Sequence, residues 1–236
     1  MGTALAIWRR EFKAYFNSPV AYFVITAFLA LVGILFFIPF FSQDRVSMRG
    51  FFGLAPFLFV FFAPAITMRL LAEERRSGTL ELLITMPVRD VDVILGKHLA
   101  ALSLLAVALL LTLPYAFTIA AFGPLDWGPV WGGYVGLLLM GAALLALGVA
   151  ASSFTENQII AFVIALSASM LFQMIDKFLP FLPASVAPIA EYLSFDYHFR
   201  DAARGVIDSR DVVFYASFAV LCLFLAFRSL ESRRWR

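Results

Sequence analysis

Apolar residues occur along this chain in long unbroken blocks, a pattern that soluble amphipathic helices and half-buried strands do not produce. Six blocks approach or exceed the roughly 20 residues a helix needs to cross a hydrocarbon layer about 30 Å thick. They are Val20 to Phe41, Phe51 to Leu71, Leu95 to Phe122, Val130 to Phe154, Ile159 to Leu179 and Val212 to Phe227. Only the turn Thr155-Glu156-Asn157-Gln158 separates the fourth from the fifth. The pattern predicts an all-α membrane protein with six transmembrane helices. The first block is too long for a signal-peptide core and ends in Phe-rich sequence instead of a small-residue cleavage site, so it reads as a retained anchor.

Two stretches outside the blocks carry helical signals of their own. Within residues 2 to 17, Leu5, Trp8, Phe12, Tyr15 and Phe16 recur at helical spacing, while Arg9, Arg10 and Lys13 lie to one side. This predicts an amphipathic helix lying on membrane lipid at the inner surface, ended at Ser18-Pro19 because proline disfavours helical geometry in the residue before it. Between the fifth and sixth blocks, Pro180, Pro183 and Pro188 break an apolar stretch, and charges alternate from Glu191 to Asp211. Short helices dipping into the outer face fit this better than a seventh crossing, because non-helical backbone at membrane depth must be shielded. The expected organisation is an interfacial helix over residues 1–19 and a six-helix domain over 20–236, with an inner loop at 72–94 and an outer segment at 180–211. In the fourth block, Gly132 and Gly136 begin a run of small residues that continues through Gly141, Ala142, Ala143, Ala146, Gly148 and Ala150. That face is expected to pack tightly on a neighbouring helix. Pro56, Pro64 and Pro114 are expected to interrupt the second and third spans.

Composition supports the membrane assignment: 62% of residues are hydrophobic, 14% are charged and mean hydropathy is +0.91, far from the mixture of soluble domains. Net charge is only +2, so placement matters more than the sum. With the N-terminus inside, the inner side holds Arg9, Arg10, Lys13, Arg69, Arg75, Arg76, Arg89, Lys97, Arg228, Arg233, Arg234 and Arg236, and the outer side only Arg45, Arg49, Lys177, Arg200, Arg204 and Arg210. Basic residues resist translocation, so both termini are expected to be cytoplasmic in a multi-pass protein of a cell membrane. The sole cysteine, Cys222, lies inside the last block, which rules out an intrachain disulfide and suits a small buried hydrophobe.

Candidate chemistry is sparse. The middles of the spans lack the ionisable groups that mark ion-coupled transport. There is no H-E-x-x-H, no G-x-S-x-G and no cysteine pair, and Gly96-Lys97 lacks the upstream glycine and following Ser or Thr of a phosphate-binding loop. The expectation is a chain without a catalytic residue, cofactor or metal of its own. Nucleic acid is not among its expected partners.

The most informative polar segment is the loop Glu73 to Pro87, in which Gly78 permits a sharp turn, Thr79 can cap a short helix over Thr79 to Ile84, and Pro87 stops it. This segment resembles the ABC-2 transporter permeases, whose motif Glu-x-x-x-Gly-Thr-x-Glu with a downstream Pro follows the second span; Glu74, Gly78, Thr79, Glu81 and Pro87 match it. The leading helix, the six spans and the outer segment extend the resemblance over nearly the whole chain. It implies a permease paired with a second copy or a paralogue, with two ABC ATPase subunits beneath that hold the ATP and Mg. It also implies that the loop, including Glu73, Arg75 and Arg76, couples to them. Export is the direction implied, and an auxiliary extracytoplasmic membrane subunit is compatible with it. The alternative to coupling is a solvated loop whose charges only set topology.

The stretch His198, Phe199, Arg200, Asp201 to Arg204, Gly205 and Asp208 is similar to the gliding-motility-type and copper-processing branch of that family, although the chain has no Met or Cys cluster suited to soft copper. For His198 with Glu191, Asp196 and Asp201, a metal site competes with ordinary capping and salt bridges, and the second is favoured. His98, at the start of the third span, is expected at the membrane interface, and Phe57 with Phe61 at a lipid-facing or core surface. A second reading of the whole chain is a non-transporting scaffold that passes ATPase motion to an extracytoplasmic partner.

Overall fold

Polar residues at the edges of the apolar blocks decide where the helices start. The computed structural model describes residues 2–43, 46–79 and 89–232. Asp126, Asn157 and Asp208 each have extended backbone and accept the backbone N–H two residues on, from Gly128, Ile159 and Arg210. Each satisfies one of the donors that a helix start leaves open. The helices therefore begin before the apolar blocks do.

In chain order they are α1 (Gly2–Asn17), α2 (Pro19–Gln43), α3 (Arg49–Thr67), α4 (Ala72–Arg76), α5 (Asp90–Leu110), α6 (Leu113–Ala120), α7 (Trp127–Phe154), α8 (Gln158–Phe178), α9 (Ala187–Leu193), α10 (Phe195–Ala202) and α11 (Ser209–Glu231). No strand occurs among the described residues. Six spans are long and apolar enough to cross a membrane: Pro19–Phe41, Arg49–Arg76, Asp90–Ala120, Trp127–Phe154, Gln158–Phe181 and Ser209–Glu231. All six expected crossings are present.

Ser18 separates α1 from α2, whose first residue is Pro19, a position where the missing N–H costs nothing. The third span bends at Leu111-Thr112, where Pro114 can neither donate a helical bond nor fit its ring against the preceding turn. The Thr112 hydroxyl lies 2.6 Å from the Leu109 carbonyl and 2.9 Å from the Tyr134 hydroxyl. In the second span α3 runs through Pro56 and Pro64 and breaks only after Thr67.

The fourth span, α7, is the central post, with 72% of its apolar window buried against 22% for the fifth and sixth. Its glycines allow the close approaches. A Cβ on Gly133 would strike Phe52, one on Gly141 would strike Leu105, and one on Gly148 would strike the Thr67 hydroxyl. The Gly132 and Gly136 pair faces not another crossing but Ala202, Gly205 and Phe199 of the segment between the fifth and sixth spans. Phe57 and Phe61 are a half-exposed edge-to-face pair with centroids 5.4 Å apart. Cys222 is buried. His98 is buried too, on the part of α5 that packs inside the bundle.

Candidate functional site

The break in the second span creates the site. Met68 N–H still bonds the Pro64 carbonyl, but Leu70 N–H turns to Thr67, 3.1 Å away. Leu71 and Ala72 are left with donors that the next turn does not satisfy. The Ser152 hydroxyl of α7 accepts from both, at 3.1 and 3.0 Å, and donates to the Met68 carbonyl at 3.0 Å. The Ile66 carbonyl is taken by the Tyr15 hydroxyl of α1 at 3.1 Å. Burial, with Glu11 adding to it, pushes the Tyr15 phenol well above its ordinary range, so it remains a donor. Because one hydroxyl satisfies three backbone groups, Ser152→Ala is expected to cost about 2–3 kcal/mol, seen as a lowered unfolding midpoint. Ser152→Thr, which keeps the oxygen, should lose less.

α4 emerges from this break carrying Glu73, Glu74, Arg75 and Arg76. The Lys97 ammonium, 1% exposed, lies 2.7 Å from Glu74 Oε1 and 3.5 Å from Glu11, and Glu11 meets Arg10 at 2.7 Å. Three elements, α1, α4 and α5, thus share one charge cluster. A lysine in that position needs such partners, since an unpaired buried charge is strongly unfavourable. On the other flank, buried Arg75 donates to Ser229 Oγ of α11 at 3.1 Å, and Ser229 donates to the Ser153 carbonyl of α7 at 2.8 Å. Glu73 pairs with Arg69 at 3.1 Å and is more exposed. Ser77 closes α4, and Gly78 follows with φ +71, the left-handed geometry that favours glycine after a helix end. Arg76, Gly78 and Thr79 face solvent. Glu81, Pro87 and the short helix expected over Thr79 to Ile84 lie, apart from Thr79, outside the described residues.

α1 joins the site through its packed face. A Cβ on Gly96 would come within 2.7 Å of Ile7 and 3.0 Å of the Ala4 carbonyl. Thr3 donates to Asp92 at 2.6 Å, and Trp8 Nε1 donates to Ser103 at 2.9 Å. The face turned inward comprises Ala4, Ile7, Trp8, Glu11, Phe12 and Tyr15, whereas Leu5 is exposed with Arg9, Arg10 and Lys13. A cavity of about 230 Å³ remains between α1 and the second-span break, bordered by Glu11, Tyr15, Arg69, Glu74 and Lys97.

A family model described as an ABC-2 family transporter protein matches residues 37–228, well over half the chain. The chain belongs to the ABC-2 transporter family. Among curated proteins, no sequence matches it. It is therefore a multi-pass membrane protein and a permease subunit of an ABC transporter, a class whose members associate with ABC ATPase subunits. The match is to the family as a whole and does not resolve a branch within it.

At the opposite end of the permease, the residues singled out between the fifth and sixth spans do not converge on one site. His198 bonds Asp211 and the Tyr192 carbonyl. Arg200 reaches Asp176 at 3.3 Å beside Lys177 and Asp196. Burial, and next the Asp176 carboxylate, raises the Asp196 carboxyl above its usual range. Arg204 and Asp201 make an exposed pair at 3.8 Å, Asp208 caps α11, and Gly205 has φ +89 where its backbone crosses Gly128. Among the described residues no group of three His, Cys, Asp or Glu side chains could hold a metal ion.

Proposed function

We propose that this permease is the membrane half of an ATP-driven exporter that has no ATPase site of its own. Separate ATPase subunits, holding ATP and Mg, act on the Glu74 end, and a second copy or a paralogue completes the transport path. The observation that carries this reading is the anchoring of α4. The root of the loop that leaves the second span is tied to α1 and α5 through Lys97, to α7 through Ser152 and to α11 through Arg75. A push on the loop therefore reaches most of the bundle at once. Rigid elements joined by such contacts carry displacement without needing any covalent step.

The centre of the chain supports a path between copies. Leu137, Met140, Ala143, Leu144, Leu145 and Ala146 of α7 are completely buried, and a core packed to that degree leaves no route for a solute within one protomer. Thr3 lies on Asp92, and Ser229 on Arg75, so both ends of the described chain lie at the Glu74 end. In this reading that end is cytoplasmic, as its basic residues favour.

The test is to reconstitute the permease with its ATPase and replace Glu74 or Glu81 by alanine. The ATPase should stay bound while ATP hydrolysis loses its coupling to transport by about tenfold, within the usual span of coupling energies; the Glu74 change also lowers stability, because it leaves Lys97 with Glu11 at 3.5 Å in place of Glu74 at 2.7 Å. Unchanged coupling in a paired Glu74 and Glu81 variant would refute the role given to the loop. Coupled ATP turnover that moves no solute would favour the scaffold reading instead.

A further inference from the structure

His198, at the far end of the molecule, has a side chain only 1% exposed, and both of its ring nitrogens meet oxygen acceptors. Nε2 lies 2.9 Å from the Tyr192 carbonyl, and Nδ1 lies 2.7 Å from Asp211 Oδ1. A carbonyl and a carboxylate have no proton to give, and a neutral imidazole has only one N–H. Both contacts can exist together only if the His198–Asp211 pair holds one proton more than a neutral ring beside a carboxylate. From this geometry we infer that His198 and Asp211 form a buried proton-binding site that tethers α9 to α10 and α11.

The consequence for α9 follows from which contact is given up. When the extra proton leaves, the remaining N–H stays with the carboxylate, because the charge-assisted bond is the stronger. The lone pair on Nε2 then faces the lone pairs of the Tyr192 carbonyl, and that joint opens. Asp211 has no second bond to compensate with, since among the described residues its Oδ2 is buried without a partner. Tyr192 is in the last turn of α9, whose carbonyls have no partner within the helix, and His198 supplies the partner of the Tyr192 carbonyl. α9 also supplies Ile189, Ala190 and Leu193 to the wall of an apolar groove of about 720 Å³, completed by Met170, Met174 and Phe178 of α8. Proton loss therefore loosens one wall of the groove.

The surroundings separate this pair from the other titratable groups. Phe214 stacks on the ring at 3.9 Å, and the Tyr192, Tyr197 and Tyr215 rings surround it at 5.0, 5.2 and 6.2 Å. The Tyr215 hydroxyl is committed to the Phe195 carbonyl. On α10, Asp196 and Arg200 are engaged with Asp176 and Lys177 of the fifth span, and Asp201 with Arg204. Glu191 and Arg210 lie next to Tyr192 and Asp211 in the chain. The fourth span meets α10 and the turn after it at Gly132 and Gly136. The tether is complete at low pH and is lost as pH rises.

The inference does not depend on the exporter reading and is tested without ATPase or substrate. In a Cys222→Ala background, a nitroxide is attached at Ile189→Cys and the permease is placed in phosphatidylcholine nanodiscs. Spectra are taken at about pH 5.5 and about pH 8.5. The ratio of mobile to immobile signal should rise about tenfold at the higher pH, as expected for one lost buried hydrogen bond. Asp211→Asn is the decisive variant: its amide can donate to Nδ1 while a neutral ring donates to Tyr192, so the label should stay immobile at both pH values. His198→Phe should be mobile at both. An unchanged native ratio, or an Asp211→Asn variant that follows the native pH change, would overturn the inference even if His198→Phe fails to fold.

Discussion

Gly148→Ala is expected to destabilise the permease by about 2–3 kcal/mol, while the same change at Gly53 should be neutral or stabilising by up to about 1 kcal/mol. The two glycines are alike in sequence terms, each within a long apolar helix. Their surroundings are opposite. A Cβ on Gly148 would overlap the Thr67 hydroxyl and lie 2.9 Å from the Thr67 Cβ, whereas a Cβ on Gly53 would meet nothing within 4 Å. Thr67 cannot swing aside freely, because it is fully buried and donates to the Ala63 carbonyl at 2.8 Å. Relief requires α3 and α7 to separate where the second span breaks, which would also pull Ser152 from Leu71 and Ala72. Thermal unfolding in detergent reads the difference directly, at roughly 2–4 °C per kcal/mol for a chain of this size. Equal midpoints for the two variants would show that α7 does not hold α3 this tightly.

The crossings were legible because bilayer thickness imposes a length on them that sequence displays directly. Their ends were less so. The starts of the last three moved outward to a capping Asp or Asn, a local bond that hydropathy does not register. The small-residue run in the fourth span correctly signalled close packing. Its partner at Gly132 and Gly136 was not another crossing, since spacing reports that a face is small but not what occupies it. α1 shows the same limit. Its helix was evident, but spacing did not show that Glu11 faces inward, where a charge cluster with Lys97 draws a carboxylate to the packed side.

Lys97, Ser152 and Ser229 were the residues of the candidate site that sequence reasoning did not single out. Lys97 reads as one more basic residue at a span end, and only the fold brings Glu74 and Glu11 to it. Ser152 and Ser229 look like small residues in apolar helices. Their role follows from the break after Thr67, which the prolines suggested at the wrong places: α3 tolerates both and opens only beyond Pro64. A serine facing a helix break from another span would have been the signal, and it exists only in three dimensions.

Lys97→Met is expected to lower stability by about 3 kcal/mol, the usual result of removing one member of a buried ion pair. The methionine fills most of the space of the lysine stem, so the loss is electrostatic and not a cavity effect. Among the described residues, Glu74 would keep a carboxylate whose Oε2 already lacks a partner, with Arg10 at 4.0 Å to offset it. Glu11 would retain Arg10 at 2.7 Å and suffer less. Adding Glu74→Gln to Lys97→Met should therefore restore most of the loss, because a neutral amide costs less than a stranded anion. A double-mutant cycle on the unfolding midpoints isolates the pair. The double variant also separates stability from function: stable again, it still lacks the charge link from α4 to α5 and α1. Its ATP hydrolysis should stay poorly coupled to transport in the reconstituted complex. Normal coupling in that variant would mean that backbone packing, and not the Lys97 cluster, ties the loop to the bundle.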